Sequence, residues 1–277
     1  MTAGTMSGVD SFGLTDVGKV RTNNEDHFLI ATLRKSLALE HTSLTGPNPF
    51  DPMKGSLARL YIVADGVGGR PGGELASGTA VQSLVEYIGQ TVGCFNTVDV
   101  DKEADFLLHL EGSVQRAHER IQEELGEGGG HAPSTTLTMA TLVGRRAYIV
   151  HVGDSRAYYL HNGKLRQLTE DQTMGRYMVD AGAWTEEQAA RAGMAANLTS
   201  VLGGSEMLPR IGLVDLLPGD TLLLCTNGLT KHVTDEQLTG ILSRAGSAEA
   251  ACHELVGAAL AAGGTDNVTV VVARISD

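Results

Sequence analysis

One short stretch in the first third of the chain places the strongest constraint on its fold. Residues 60–65 form an apolar run rich in β-branched and aromatic side chains, which is typical of a buried strand. The run ends on Asp65, the glycine-rich segment 66–69 follows, and the pattern predicts a helix from Glu74. Because a strand end holds a carboxylate without loop entropy, Asp65 is a candidate ligand of a hard cation. Alternatively, Asp-Gly is a common turn pair that needs no ligand.

Two glycine patterns similar to nucleotide-binding motifs are incomplete. The dinucleotide fingerprint needs a third glycine, and Pro71 stands in that place after Gly66 and Gly68. Residues 13–20 have the spacing of a P-loop, but Val20 replaces the Ser or Thr hydroxyl that binds magnesium. The sequence therefore excludes both kinds of nucleotide site.

Composition limits the class of protein. The chain has 277 residues, 42% of them hydrophobic, which is enough for one large domain or two small ones. Its formal net charge of -12 argues against nucleic acid or an anionic membrane surface as a partner. No signal peptide and no apolar run of about 20 residues is visible, so we expect no membrane span.

Cysteine usage indicates a reducing compartment. The three cysteines, Cys94, Cys225 and Cys252, include no C-x-x-C pair and none lies near a histidine at zinc spacing. Cys225 and Cys252 lie in apolar runs, which predicts buried thiols. A sparse, odd count of this kind is typical of a cytoplasmic protein.

Further oxygen ligands stand where other predicted strands begin or end: Glu25, Asp26, Asp154, Asn227 and Asp266. Glu25 and Asp26 are adjacent, so in an extended chain their side chains point to opposite faces. Strand ends at one edge of a sheet converge, and several carboxylates together repel unless cations compensate them. Since no Cys or His ligand set is present, an all-oxygen site selects Mg²⁺ or Mn²⁺ over zinc.

Such a site has a definite chemistry. Two metal ions ~4 Å apart lower the pKa of a bridging water and clamp a phosphoryl group. Arg21 lies in the same charged corner as Glu25 and is placed to bind an anion such as phosphate. A solvated turn is the alternative interpretation of this corner.

The rest of the chain supplies secondary structure of both kinds. Helices are predicted over 74–87 and 104–125, and an antiparallel meander over 133–168. Residues 36–55 read as a long loop. Residues 171–210 are predicted to be a helical flap near the site, with Thr185 and Gln188 forming a capping box. No linker divides the chain, so we expect a single domain over 1–277.

Five motifs stand in one order between about residues 11 and 273. They are Arg21…Asn24-Glu25-Asp26, Val63-Ala64-Asp65-Gly66-Val67-Gly68-Gly69, Gly153-Asp154-Ser155-Arg156, Leu224-Cys225-Thr226-Asn227-Gly228-Leu229 and Thr265-Asp266-Asn267-Val268-Thr269. In this order and at this spacing they closely resemble the metal-dependent Ser/Thr protein phosphatases, the PPM or type 2C family. The short Val-Ala-Asp-Gly form resembles the bacterial branch.

The resemblance implies an α+β fold, a four-layer α-β-β-α sandwich of two antiparallel sheets flanked by helices. It implies two Mg²⁺ or Mn²⁺ ions, and a weaker third, held by Glu25, Asp26, Asp65, the Gly66 carbonyl, Asp154, position 227 and Asp266. Asp65 would bridge the two metals, and Arg21 would bind the substrate phosphate. The implied activity is hydrolysis of phosphoserine and phosphothreonine in proteins, with a Ser/Thr kinase or its substrates among the partners.

This chain departs from the family at one ligand. The family has Asp where this chain has Asn227, and an amide oxygen brings no negative charge. We therefore expect weakened metal binding and an impaired enzyme, and the alternative is an inactive module that binds phosphoproteins. Gln172 and Ser200 also replace residues usual in the family, which puts docking of the flap in doubt. Hydrolysis of a small phosphoester is a third hypothesis.

Overall fold

The central strands are buried on both faces, which explains why their sequences are apolar without alternation. In the last strand, Val270 and Val272 pack beneath helices, while Val271 and Ala273 face the opposite sheet. Residues in the strand that carries Asp65 divide in the same way, with Ile62 toward helices and Val63 toward the other sheet. Such strands need four layers, because each sheet is covered on one side by helices and on the other by a sheet.

The computed structural model describes residues 8–33, 58–67, 71–91, 100–125 and 133–276. The strands are β1 (Val9–Asp16), β2 (Asp26–Leu33), β3 (Ala58–Val67), β4 (Ser134–Thr135), β5 (Leu137–Val143), β6 (Arg146–Val152), β7 (Arg156–His161), β8 (Lys164–Gln167), β9 (Arg210–Asp215), β10 (Thr221–Cys225) and β11 (Val268–Ile275). The helices are α1 (Pro71–Thr91), α2 (Val100–Leu125), α3 (Met174–Asp180), α4 (Glu186–Arg191), α5 (Asn227–Thr230), α6 (Asp235–Arg244) and α7 (Ala248–Ala261).

Two antiparallel sheets form the middle of the molecule. The first has the order β1-β11-β10-β7-β8, and the second has the order β2-β3-β5-β6-β9 with β4 paired to the end of β3. Helices α1 and α2 cover the second sheet, while α6 and α7 cover the first. The predicted four-layer α-β-β-α sandwich is therefore confirmed.

Two local predictions are confirmed, the Thr185–Gln188 capping box and the buried thiols of Cys225 and Cys252, and similar local geometry is found elsewhere. Thr185 and Thr234 each form a capping box with the glutamine three residues later. The Asn162-Gly163 pair turns the β7–β8 hairpin with positive φ at both residues, as two-residue hairpin turns require. Cys225 and Cys252 are buried, and burial raises the pKa of each thiol to about 12.

Other predictions need correction or lie outside the described residues. Helix α1 begins at Pro71, three residues before the predicted Glu74, because proline is favourable in the first helical turn. The long loop 36–55 and Cys94 lie outside the described residues. No helix within the described ranges combines the length and apolarity needed to cross a bilayer.

His151 joins the second sheet to the segment that enters the flap. It lies on β6, is 1% exposed, and its Nδ1 is 2.9 Å from the Thr138 hydroxyl. Its Nε2 is 3.1 Å from the carbonyl oxygen of Glu170, which requires a proton on that nitrogen. Burial lowers the pKa of His151 from 6.5 to about 4. The folded protein therefore holds a neutral imidazole at neutral pH.

The first prediction follows from the sign of this pKa shift. A lowered histidine pKa contributes stability that is fully present above pH 6.5 and is lost as the pH falls toward 4. Between pH 7.5 and 5, we expect the wild type to lose about 2 kcal/mol more unfolding free energy than His151→Gln. Urea denaturation of both proteins in EDTA measures this difference, and equal pH dependence would contradict it.

The second prediction concerns Gly228, which lets α5 approach the start of β11. A Cβ at this position would lie 1.9 Å from the carbonyl oxygen of Asn267, so Gly228→Ala has to move the backbone. We expect a loss of about 3 kcal/mol in unfolding free energy. Gly212→Ala is the control, since no atom lies within 4 Å of its added Cβ. Similar urea midpoints for the two variants would show that α5 and β11 move apart at little cost.

Candidate metal centre and phosphate site

Two carboxylates lie side by side on neighbouring strands of the second sheet, Asp26 buried and Asp65 half-buried. Asp26, the first residue of β2, pairs directly with Asp65 on β3. Strand β3 continues two residues beyond Asp65, so this carboxylate does not end its strand as the sequence suggested. Thr136 fixes the Asp65 backbone, because its N–H donates to the Asp65 carbonyl at 2.9 Å and its hydroxyl accepts from the Asp65 N–H at 3.1 Å.

The Asp26 carboxylate connects the two sheets. Its Oδ2 accepts hydrogen bonds from the hydroxyls of Thr226 at 2.8 Å and Thr269 at 2.7 Å, both of which belong to the first sheet or its edge. Its Oδ1 is buried and accepts no hydrogen bond from the described residues. Asp26 therefore has one oxygen engaged in the fold and one available to a cation. Sequence reasoning missed the two threonines, since nothing in their spacing links them to Asp26.

Glu25 points away from Asp26, as the extended geometry predicts. A Cβ built on Gly73 would lie 3.1 Å from Glu25 Cδ, so the carboxylate lies against the first turn of α1. The Glu25 carbonyl accepts from the Ser77 hydroxyl at 2.6 Å and from the Gly66 N–H at 3.1 Å. Gly66 has to be glycine, because a Cβ there would lie 2.3 Å from the Gly73 carbonyl oxygen. The last residues of β3 and the first turn of α1 thus pack tightly around Glu25.

The side chain of Asn267 holds the charged corner in place. Its Oδ1 accepts from the Glu25 N–H at 2.9 Å. Its Nδ2 donates to the carbonyl oxygens of Val17 at 3.0 Å and Asn23 at 2.9 Å. This one amide therefore ties the β1–β2 corner to the start of β11, beside Asp266. The motif Thr265–Thr269 contained the residue, but its role is visible only in the folded chain.

Asp154 approaches the site from the turn between β6 and β7. Gly153 has φ +106°, and a Cβ there would lie 2.7 Å from Thr136, so the turn needs glycine. Gly153 exchanges two hydrogen bonds with Gln172: its N–H donates to Gln172 Oε1 at 2.8 Å and its carbonyl accepts from the Gln172 N–H at 2.7 Å. The entry to the flap is therefore docked on the Asp154 turn, with Gln172 in the place where the sequence put docking in doubt.

Ser200, the other departure near the flap, is a structural residue. It is 2% exposed, and its hydroxyl accepts from the Leu208 N–H at 2.8 Å. Gln172 Nε2 also donates to the Leu208 carbonyl at 2.7 Å. Gln172 and Ser200 thus both bind the backbone of Leu208, in the segment that leaves the flap.

Asn227 and Asp266 are joined by a lysine that sequence reasoning missed. Lys231 Nζ donates to Asn227 Oδ1 at 2.8 Å and to Asp266 Oδ2 at 2.7 Å. Asn227 Nδ2 in turn donates to Asp154 Oδ2 at 3.1 Å. Arg21 Nε pairs with the remaining oxygen, Asp266 Oδ1, at 2.8 Å. The i,i+4 spacing of Asn227 and Lys231 is the signal in the sequence that could have identified this contact.

The pKa values report crowded negative charge at one end of the site. Burial, and next the charge of Asp26, raises the pKa of Asp65 well above its ordinary value. Burial also raises the pKa of Asp26, to about 6, and that of Asp154. Asp266 behaves differently: burial opposes its ionisation, but the hydrogen bonds and charges of Lys231 and Arg21 outweigh burial and lower its pKa.

This donor set fits a divalent metal at the Asp26 and Asp65 end. Two buried carboxylate oxygens, Asp26 Oδ1 and Asp154 Oδ1, accept no hydrogen bond from the described residues. Buried acceptors of this kind need a cation or a donor to compensate them. In the ranges that the structure describes, no three Asp, Glu, His or Cys side chains are already grouped closely enough to hold an ion. The site is therefore an open edge whose carboxylates need further compensation.

A cavity of about 550 Å³ opens between strands β7 and β8 and the flap, and none of the proposed metal ligands lines it. Arg156, two residues after Asp154, makes a two-pronged ion pair with Asp171 on its wall, at 2.8 and 2.7 Å. Arg176 and Glu186 of the flap line the opposite side. The cavity thus has charged walls and lies between the sheet and the flap.

Comparison with known proteins finds phosphatases that are similar to this chain. A family model described as "Protein phosphatase 2C" matches residues 53–262. Over 221 residues the chain is 36% identical to the serine/threonine protein phosphatase PstP of Mycobacterium tuberculosis, a match that covers 79% of this chain and 41% of PstP. The chain thus spans less than half the length of that relative. It is also 30% identical to the protein phosphatase PhpP of Streptococcus pneumoniae over 95% of this chain and 96% of PhpP.

Solved structures agree with the sequence relatives. The catalytic domain of PstP in complex with two manganese ions superposes with a TM-score of 0.75 at 31% identity. That match covers 98% of this chain and 99% of the PstP domain. The likeness therefore extends over both sheets and the helices that cover them.

Proposed function

Since the chain belongs to the protein phosphatase 2C family, we propose that it hydrolyses phosphoserine and phosphothreonine in proteins with the help of Mg²⁺ or Mn²⁺. The observation that carries this proposal is the opposed pair Asp26 and Asp65, with Asp26 Oδ1 buried and unpartnered among the described residues. We also propose that residues 1–277 act as one catalytic domain, in which residues 171–210 form a flap.

In this proposal the residues have distinct roles. Asp65 would contribute to both metal sites, and Glu25, Asp26 and the Gly66 carbonyl would hold one of the ions. Asn227 and Asp266 serve the other ion, and Asp154 serves a weaker third. Bound Mg²⁺ or Mn²⁺ supplies Lewis acidity, which lowers the pKa of water and offsets the charge of the phosphate.

Arg21 is the proposed phosphate ligand. Its guanidinium presents a planar fork of N–H donors that matches phosphate oxygens. The side chain is 45% exposed and its Nε pairs with Asp266 Oδ1 at 2.8 Å, so the guanidinium lies beside a proposed metal ligand with surface open to solvent. Substrates are phosphoproteins, and we propose a Ser/Thr kinase or the substrates of such a kinase among them.

A second candidate function rests on Asn227. Its amide donates to Asp154 and accepts from Lys231, two contacts that need no metal ion. A chain stabilised in this way could bind phosphoproteins through Arg21 while hydrolysing them slowly or not at all. The two hypotheses predict different effects of an aspartate at position 227 on the rate of hydrolysis.

The third prediction separates them. We expect Asn227→Asp to raise the hydrolysis of p-nitrophenyl phosphate at least tenfold at low Mn²⁺ concentration, because the added charge strengthens metal binding. EDTA should abolish the activity of both proteins. Asn162→Asp, in the exposed β7–β8 hairpin, is the matched control and should leave the rate unchanged. If Asn227→Asp stays at background with saturating Mn²⁺, the regulatory module becomes the better description.

The flap is proposed to select among phosphopeptides. The helical part of the flap begins and ends at neighbouring residues, because Thr173 and Leu198 pair as an isolated β-bridge. Inside it, Met174 and Gly175 donate to the carbonyls of Asn197 and Ala195. Residues 174–197 can therefore be excised without pulling Thr173 and Leu198 apart.

The fourth prediction uses this geometry. Replacing residues 174–197 by two glycines should change the preference among phosphopeptides of different charge by about tenfold. Turnover of p-nitrophenyl phosphate should stay within about threefold of the parent, because none of the proposed metal ligands is removed. The parent for this comparison is Asn227→Asp, which is expected to have measurable activity. Loss of both activities would show that the segment supports the fold instead.

A further inference from the structure

The structure assigns Lys231 to the place of a metal ion: we infer that its ammonium group is an internal cation that compensates Asp266 and Asn227 and competes with the divalent metal that these two residues would hold. This inference concerns the site proposed above and rests on the assignment of Asn227 and Asp266 as metal ligands. It predicts that the chain binds one metal ion well and a second one poorly.

The contacts of Lys231 support this role. One Nζ bridges Asn227 Oδ1 and Asp266 Oδ2 at 2.8 and 2.7 Å, so it occupies the space between two oxygens that a shared cation would occupy. Lys231 follows the short helix α5 directly, which fixes its backbone beside Asn227. The position of the ammonium group thus follows from the local fold.

A simple surface ion pair does not account for this arrangement. An exposed pair contributes little, and the Lys231 side chain is 43% exposed. Asp266, however, is only 18% exposed, and its second oxygen is bound by Arg21. Both of its oxygens are therefore engaged by cations that belong to the protein.

Asn227 completes the arrangement. Its amide N–H group donates to Asp154 Oδ2 at 3.1 Å, a contact that a second carboxylate could not make. The result is a continuous chain of opposite charges and matched dipoles: Arg21, Asp266, Lys231, Asn227 and Asp154. With an aspartate at 227, the same place would hold two facing carboxylates, which demand a cation of higher charge.

The charge balance at the two ends of the site differs accordingly. Asp266 is neutralised by Arg21 and Lys231. Asp26 and Asp65 have no cationic side chain in direct contact among the described residues, and Asp26 Oδ1 has no hydrogen-bond partner there. A divalent ion therefore gains more at Asp26 and Asp65, which no cationic side chain contacts within the described residues, than at Asp266, where it has to displace an ammonium group.

The fifth prediction tests Lys231 by metal binding. Titration with Mn²⁺, followed by the electron paramagnetic resonance signal of the free ion, gives the number of sites and their dissociation constants without any substrate. We expect the wild type to bind one Mn²⁺ tightly and a second at least tenfold more weakly. Lys231→Met should lower the second dissociation constant at least tenfold and change the first by a much smaller factor.

Two controls make the result specific. Lys164→Met removes a lysine from the distant end of the β7–β8 hairpin and should bind Mn²⁺ as the wild type does. Lys231→Arg keeps the positive charge and should keep the weak second site. This variant therefore separates the effect of losing the charge from the effect of replacing the lysine side chain. The double variant Asn227→Asp/Lys231→Met should bind two Mn²⁺ ions most tightly of all. Calorimetry repeats the stoichiometry independently.

The outcomes are distinct from those of the proposed function. Mn²⁺ binding by Lys231→Met that matches the wild type at both sites, in a variant with a native circular dichroism spectrum, would overturn the inference. A gain in Mn²⁺ binding without hydrolysis in any variant would support Lys231 as the internal cation and reject the phosphatase proposal. Hydrolysis by Asn227→Asp, together with unchanged Mn²⁺ binding by Lys231→Met, would support the phosphatase proposal and reject Lys231 as the internal cation.

Discussion

The opposition of Asp26 and Asp65 is the constraint on which the rest of the site depends. Two carboxylates paired across neighbouring strands repel each other, and burial makes their ionisation still less favourable. The fold holds them nevertheless, because Thr226 and Thr269 bind one oxygen of Asp26 from the other sheet. The Asp26 carboxylate thus joins the two sheets at this edge, and a cation is needed to compensate its negative charge fully.

The protein places cations of its own at one side of this edge and none in contact at the other. Arg21 and Lys231 surround Asp266, while Asp26 and Asp65 depend on what comes from solution. The pKa directions follow the same division, with Asp266 lowered and Asp65 raised. In the proposed site, a divalent metal ion and the cationic side chains compensate the same carboxylates, and we propose that the residue at position 227 determines which of the two compensates Asp266.

The sequence predicted the features that depend on short motifs, and it did not predict the contacts that form only in the tertiary structure. The apolar runs of β3, β10 and β11 predicted buried strands, and the carboxylates beside them predicted residues that converge at one edge. The sandwich itself was implied by the resemblance of the five motifs to the type 2C phosphatases. The start of α1 was misplaced, because helix propensity disfavours Gly72 and Gly73, whereas tight packing against Pro133 and Glu25 demands them. The roles of Asn267 and Lys231 could not be predicted, since each depends on partners brought together by folding.

The placement of β11 has a consequence for how the molecule is made. This strand lies between β1 and β10 in the first sheet, and its leading residue Asn267 fastens the corner that carries Glu25. While a ribosome is still releasing the chain, β1 has no partner and the charged corner no anchor until residues 267–275 emerge. The edge that carries Glu25 is therefore assembled only after residues 267–275 have been synthesised. A nascent chain has all of α1 to α7 before this edge is organised.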